Sequence, residues 1–172
     1  VKGDGLMPIN RGEDMDIKFE TGKEKFNYRV CAIIINDGKI LAMKDYRTPY
    51  YYLPGGRVQM GETAEAAVLR EVLEELNIEA KINRPLWLNQ SFFNEDVNHL
   101  DYHELCLYFL MDISGTELLD KGETFSVEEE EKTNYFEWLE FERLDAEYFY
   151  PVFLKKEIFN LPENLVLRVE KE

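Results

Sequence analysis

Glu71, Glu74 and Glu75 stand in the stretch GRVQMGETAEAAVLREVLEELNI, which runs from Gly56 to Ile78, with Arg70 beside them and Glu62 upstream. Leu53-Pro54-Gly55-Gly56 stands immediately before it. Residues three and four apart are neighbours on a helix, so the three carboxylates share one face. Like charges about 5 Å apart repel by roughly 3 kcal/mol at an effective dielectric near 20. The cluster is tolerable if water solvates it or if positive charge sits against it. A hard divalent cation such as Mg²⁺ takes oxygen ligands, and carboxylates on a rigid element supply them. A merely solvated acidic face explains the charge. It does not explain the Gly-Gly pair, Glu62 and Arg70-Glu71 at set distances.

The elements that must hold these residues are legible around them. A helix is expected from about Thr63 to Leu76, with Thr63 as N-cap and Leu69, Val72, Leu73 and Leu76 as its apolar stripe. Ala64 and Ala67 are expected on the acidic side, leaving open space in front of it. Asp16–Glu20 reads as a short strand, Thr21–Lys25 as a turn and Asn27–Ile35 as a strand. Asp37-Gly38 marks a hairpin, and Lys44–Tyr52 a polar, aromatic loop. Gly55 and Gly56 let the backbone turn sharply or approach a ligand. Lys81–Phe93 and Glu104–Ile113 read as strands separated by a polar loop. Glu123–Lys132 reads as an acidic loop, Tyr135–Glu140 as a strand and Asp145–Asn160 as a helix with Pro151 near its start or at a kink. Strands on both sides of a helix, with a further helix at the end, point to a mixed sheet covered by helices.

The spacing resembles the Nudix box, G-x5-E-x7-R-E-U-x-E-E-x-G-U with U a bulky aliphatic residue. Gly56, Glu62, Arg70, Glu71, Val72, Glu74, Glu75 and Ile78 match it. Asn77 stands where the family has glycine. That position ends the helix, where a left-handed backbone is common and Asn is the next best residue to Gly. The resemblance is strongest from Phe26 to Asp112. It implies an α+β fold, a Nudix-type α/β/α sandwich with a central mixed β-sheet. It also implies hydrolysis of a nucleoside diphosphate linked to another group, with Mg²⁺ or Mn²⁺ as cofactor.

By the same resemblance, Glu71, Glu75 and Glu74 are the expected metal ligands, joined by the carbonyl of Gly55 or Gly56. Arg70 orients the glutamates through a planar, two-pronged hydrogen bond or, alternatively, contacts a substrate phosphate. Glu62 holds the loop or serves a second metal through water. The general base is Glu71 or Glu74, with Glu130 and Glu131 as later candidates. The run Glu128–Glu131 otherwise reads as a solvated acidic loop. Arg47, Glu104, His103 and Phe92 are the candidate substrate contacts. Glu104 reads equally as an edge-strand carboxylate and His103 as a surface residue. One or two of Tyr50, Tyr51, Tyr52, Trp87, Phe92 and Phe93 are expected to stack a nucleobase. Marker residues of the ADP-ribose, dinucleoside-polyphosphate and coenzyme A subgroups are missing, and the flanks resemble a bacterial Nudix group of undefined substrate. A non-catalytic Nudix module binding a nucleotide or a protein stays open. Such modules usually lose box glutamates, whereas this chain keeps all of them.

Composition narrows the partners. The chain has 172 residues, 45% of them apolar and 13% aromatic, which suits one folded domain over 1–172. Its formal charge of −15 argues against polymeric nucleic acid and anionic membranes. A small nucleotide remains compatible, because bound metal inverts the local field. A homodimer is left open. Cys31 and Cys106 lie in apolar runs and read as buried, reduced thiols, and a cytoplasmic location follows. Residues 1–15 read as loose, with Val1–Leu6 an expression leftover and the native start at Met7 or Met15.

Overall fold

The computed structural model describes residues 15–129 and 132–171. The readings made for Val1–Leu6, Glu130 and Glu131 fall outside these residues. β1 (Lys18–Thr21) and β2 (Glu24–Ile33) form a hairpin. One residue later the chain enters β3 (Ile35–Asn36), turns at Asp37-Gly38 and returns as β4 (Lys39–Lys44). Asp37 and Gly38 both have positive φ, 47° and 72°, as a two-residue turn matched to strand twist demands. β5 (Gly55–Arg57) leads to helix α1 (Ala64–Leu76). Then come β6 (Lys81–Asn94), β7 (Asp101–Asp112), β8 (Thr124–Glu129) and β9 (Lys132–Glu140). A 3₁₀ segment (Phe141–Ala146), the short α2 (Leu154–Glu157) and β10 (Val166–Lys171) complete the described chain.

Two sheets result. The larger is mixed, in the order β1-β2-β7-β6-β10, with β5 beside β2 on the edge that β1 vacates. β2 and β7 run parallel, as do β6 and β10. The smaller sheet, β3-β4-β9-β8, is antiparallel throughout. Alternation along β2 splits the core in two. Val30, Ala32 and Ile34 pack with α1 on one side of the mixed sheet. Cys31 and Ile33 pack with the 3₁₀ segment and α2 on the other. The architecture is thus the expected α/β/α sandwich, with a thin second helical layer. Pro85, which cannot donate to the ladder, sits at a register shift in β6.

Three expectations are corrected. Glu123–Lys132 is not a loop, because Thr124–Glu129 forms β8. Phe125, Val127 and Glu129 turn inward in alternation, and Phe125 stacks on Phe136 at 5.1 Å; the glutamate run masked that period of two. The helix expected over Asp145–Asn160 shrinks to the single turn Leu154–Glu157. Pro151 disfavours helix in the residue before it, and the bent segment still buries Phe149, Phe153, Leu154 and Ile158. The stripe of α1 is rotated: Val68, Val72 and Leu76 are fully buried, whereas Leu69 and Leu73 are 37% and 46% exposed. Ala67 lies in the core rather than beside open space, and Glu75 is buried with it.

Candidate active site

The loop from β5 to α1 is fixed at both ends. Thr63 caps the helix, its Oγ1 accepting from Ala66 N at 3.1 Å. Asn77 closes it in the left-handed region, φ 55° and ψ 43°, with its N–H on the Leu73 carbonyl. Its short polar side chain tolerates that backbone, which explains how it replaces the glycine of the box.

Arg70 organises the carboxylates. It donates to Glu62 Oε1 and Oε2 at 2.8 and 3.0 Å, to Glu71 Oε1 at 2.8 Å, to Glu74 Oε2 at 3.1 Å and to the Arg57 carbonyl at 3.0 Å. A guanidinium has five N–H donors, and all five are engaged. Every one of them meets a group of the box or the loop before it. Glu62 also accepts from Gln59 N at 3.1 Å, which ties the loop. The Arg70 hydrogen bonds hold the Glu62 carboxyl below its usual range.

Glu75 is 4% exposed, and its Oε2 accepts from Gly55 N at 2.9 Å. Burial first, and then the nearby Glu71 charge, push its carboxyl well above the usual value. Burial also raises Glu71, although Arg70 pulls the other way. Gly56 faces Glu71 so closely that a Cβ there would lie 2.2 Å from the Glu71 Oε1. At Gly55, with φ 147°, a Cβ would lie 2.2 Å from the Val30 carbonyl oxygen of the neighbouring strand. The two glycines thus let β5 press against both β2 and the acidic helix face.

The donor chemistry fits a hard divalent cation: Glu71 and Glu75 are desolvated carboxylates that repel each other, and the charge that would relieve them is positive. Among the described residues no three His, Cys, Asp or Glu groups converge at ligating distance. Arg70 holds Glu71 and Glu74, and the Gly55 N–H holds Glu75. Glu74 is the outermost of the three, its side chain 45% exposed.

These residues border a cleft of about 1070 Å³. Its floor is one face of the mixed sheet, including Asn27, Arg29, Asn89, Glu104 and Glu170. Glu104 lies on an interior strand, accepts from Asn27 Nδ2 at 3.5 Å and lines the cleft, so it is not an edge carboxylate. Arg47 stands at the rim, where Asp45 accepts from its Nε and Nη2 at 3.0 and 2.6 Å. Tyr50, edge-on to Tyr148 and Tyr150 at 5.4 and 5.1 Å, and Tyr52 form an aromatic wall. Phe93 stacks on Tyr102 at 5.1 Å nearby.

Other expected contacts lie elsewhere. His103 points to the opposite side of the sheet, between Phe26 and Phe92 at 5.5 and 4.4 Å, and lines a separate groove. Alternation along β7 separates it from Glu104. Phe92 borders both spaces with its ring against His103. Trp87 is fully buried core, and Tyr51 is turned away to Glu137 and Lys44. The hairpin of β8 and β9 brings Glu128, Glu129 and Lys132 to the cleft, which the loop reading did not anticipate. Arg29 and Asn89 were also missed, although a charge inside the apolar run NYRVCAII was a visible signal. Cys31 and Cys106 are free and buried, as expected, their sulfurs 3.6 Å apart.

Comparison with known proteins agrees with this geometry. Residues 25–157 match the NUDIX domain model. An ADP-ribose pyrophosphatase from Methanocaldococcus jannaschii is 36% identical over 92 residues, 52% of each chain. A putative 8-oxo-dGTP diphosphatase from Bacillus subtilis is 39% identical over 70 residues, 40% of this chain and 47% of the relative. The chain thus spans about half the length of the curated relatives it matches. The crystal structure of a MutT protein from Bacillus halodurans superimposes with a TM-score of 0.56 at 15% identity, over 84% of this chain and 89% of that one. The box residues, the sandwich that carries them and the match over most of the sequence make this chain a member of the NUDIX domain family.

Proposed function

We propose that this protein is a metal-dependent pyrophosphohydrolase acting on a nucleoside diphosphate linked to another group. The observation that carries the reading is the pair Glu71 and Glu75, one part-buried and one buried carboxylate with raised affinity for protons, positioned by Arg70 and the Gly55 N–H at the mouth of a large cleft. Glu71, Glu75 and Glu74, with the Gly55 carbonyl, would hold Mg²⁺ or Mn²⁺. Once bound, the ion would neutralise charge developing on the pyrophosphate and lower the pKa of water. Arg70 keeps Glu71 and Glu74 aimed at one side of the helix, and Glu62 keeps Arg70 in place. Glu71 or Glu74 accepts the proton from the attacking water. The tyrosine wall takes the aromatic end of the nucleotide.

The curated relatives are named a pyrophosphatase and a diphosphatase, which supports this reaction class and leaves the substrate between an ADP-ribose type and a nucleoside triphosphate type. No helix among the described residues is long and apolar enough to cross a membrane, and two free thiols suit the reducing cytoplasm. The test is a hydrolysis screen over nucleotide sugars, dinucleotides, triphosphates and dinucleoside polyphosphates with Mg²⁺ or Mn²⁺. Turnover of at least one class, abolished by chelator, is expected. Chelator-insensitive turnover, or none at all, would favour the binding module instead.

A further inference from the structure

An acidic protein that accepts phosphates needs a cation free to meet them. Among the described residues, five cationic side chains line the cleft: Arg29, Arg47, Arg57, Arg70 and Lys132. Four are already held. Asp45 holds Arg47, Asp16 and Asn27 hold Arg57, the box glutamates hold Arg70, and Glu129 holds Lys132. Arg29 differs. Its Nε is buried without a partner, and among the described residues no hydrogen bond or ion pair reaches its guanidinium.

Its place in the sheet explains why. Arg29 sits mid-strand in β2, directly opposite Cys106 of β7, which is itself opposite Asn89 of β6. Neither neighbour along that row is an acid. Glu104, one step away on the same face, influences Arg29 only at longer range. Burial opposes the charge on Arg29, and the Glu104 carboxylate favours it. The field of Arg29 reaches Glu71 and also Tyr50 and Tyr52. Arg29 thus lines the same cleft as Glu71 of the acidic helix and Tyr50 and Tyr52 of the aromatic wall, the two features that a phosphate joined to a stacked group would span. A guanidinium presents its donors in a planar fork that fits two phosphate oxygens at once.

We propose that Arg29 is the phosphate anchor of the cleft, meeting two oxygens of the substrate's diphosphate directly, a role that the saturated Arg70 and the paired Arg47 do not fill. This rests on the pyrophosphate reading above. It makes Arg29 a residue of substrate affinity rather than of proton transfer.

Methylenediphosphonate, which carries the diphosphate charge on a bridge that is not hydrolysed, separates binding from turnover. Its affinity for the full chain in Mg²⁺ is measured by calorimetry, with circular dichroism melts on every variant. Parent binding is expected, weakened about tenfold or more in Arg29→Gln, as loss of charge-assisted hydrogen bonds implies. Arg29→Lys, which keeps the charge and loses the fork, falls between them. Parent-like affinity in folded Arg29→Gln overturns the proposal, and so does absence of binding by the parent. If Arg29→Gln does not fold, parent-like affinity in Arg29→Lys overturns it instead. Hydrolysis without phosphonate binding defeats the anchor and leaves the enzyme standing. Arginine-dependent binding without hydrolysis defeats the enzyme reading and leaves the anchor.

Discussion

At the scale of single residues, the box is an arrangement of opposed charges that the backbone keeps from relaxing. Glu75 shows the cost. Its carboxyl is raised well above the ordinary 4.5 by burial and by Glu71. A raised folded-state pKa stabilises fully below the unfolded value, and the benefit is lost as pH climbs through the folded value. Glu75→Gln removes that slope while still accepting the Gly55 N–H. Without metal, it is expected to melt at or above the parent temperature at pH 7, with the gap closing toward pH 4, and to lose hydrolysis. Melts across pH check this, and a large fall in the metal-free melting temperature would make Glu75 structural. Asn77 offers a cleaner test, because its φ is 55°. Asn77→Gly should be neutral or slightly stabilising, since glycine enters that region freely. Asn77→Val should cost about 1–2 kcal/mol, because a β-branched side chain crowds a left-handed backbone. Denaturant unfolding reads both, and an unchanged valine variant would show that the helix can end another way.

At the scale of elements, β5 is held by what its glycines lack. Gly55→Ala sets a Cβ against backbone that cannot retreat, at positive φ, and should destabilise by at least about 1–3 kcal/mol. For Gly56→Ala the three nearest atoms all belong to the end of the Glu71 side chain. The variant should fold nearly as stably as the parent and lose activity, because Glu71 must swing aside; paired melting and turnover assays separate the two. In α1, Leu76→Ala should cost about 2–5 kcal/mol, whereas Leu69→Ala should stay within about 0.5 kcal/mol. The same helix shows how far the sequence was legible. Its ends were plain, because Thr63 and Asn77 act through local backbone geometry. Its buried stripe was not, because Leu69 and Val68 are equally apolar and only the sheet beneath decides which turns inward. β8 was obscured because glutamates occupy both of its faces. β10 had no reading at all, being an edge strand whose Leu167 and Val169 stay 69% and 61% exposed. Within the site, the box residues were legible because their spacing is helical. The split of His103 from Glu104 and the solitary state of Arg29 depend on pairings between distant strands.

At the scale of the whole molecule, a formal charge of −15 would make any bound cation a stabilising partner as well as a chemical one. Ligand that binds only the folded state adds about 2.7 kcal/mol at a concentration one hundred times Kd. For a chain of this size that corresponds to a rise in melting temperature of about 5–10 °C. Saturating Mg²⁺ or Mn²⁺ should therefore raise the parent's melting temperature. Glu71→Gln and Glu75→Gln should lose most of that rise, and an equal shift in those variants would place the cation elsewhere. The link between the two sheets bears on motion. Ile34, fully buried, is the single residue between β2 and β3, and its carbonyl accepts from Leu41 N at 2.9 Å. One continuous run of chain is thus structural in both sheets, so neither can open while the other stays shut. Native-state hydrogen exchange should give the amides of Ala32 and Leu41 a shared opening free energy, as members of one cooperative unit do. Substrate entry would then be left to the rim loops 45–50 and 95–100, which can breathe while the floor of the cleft stays rigid.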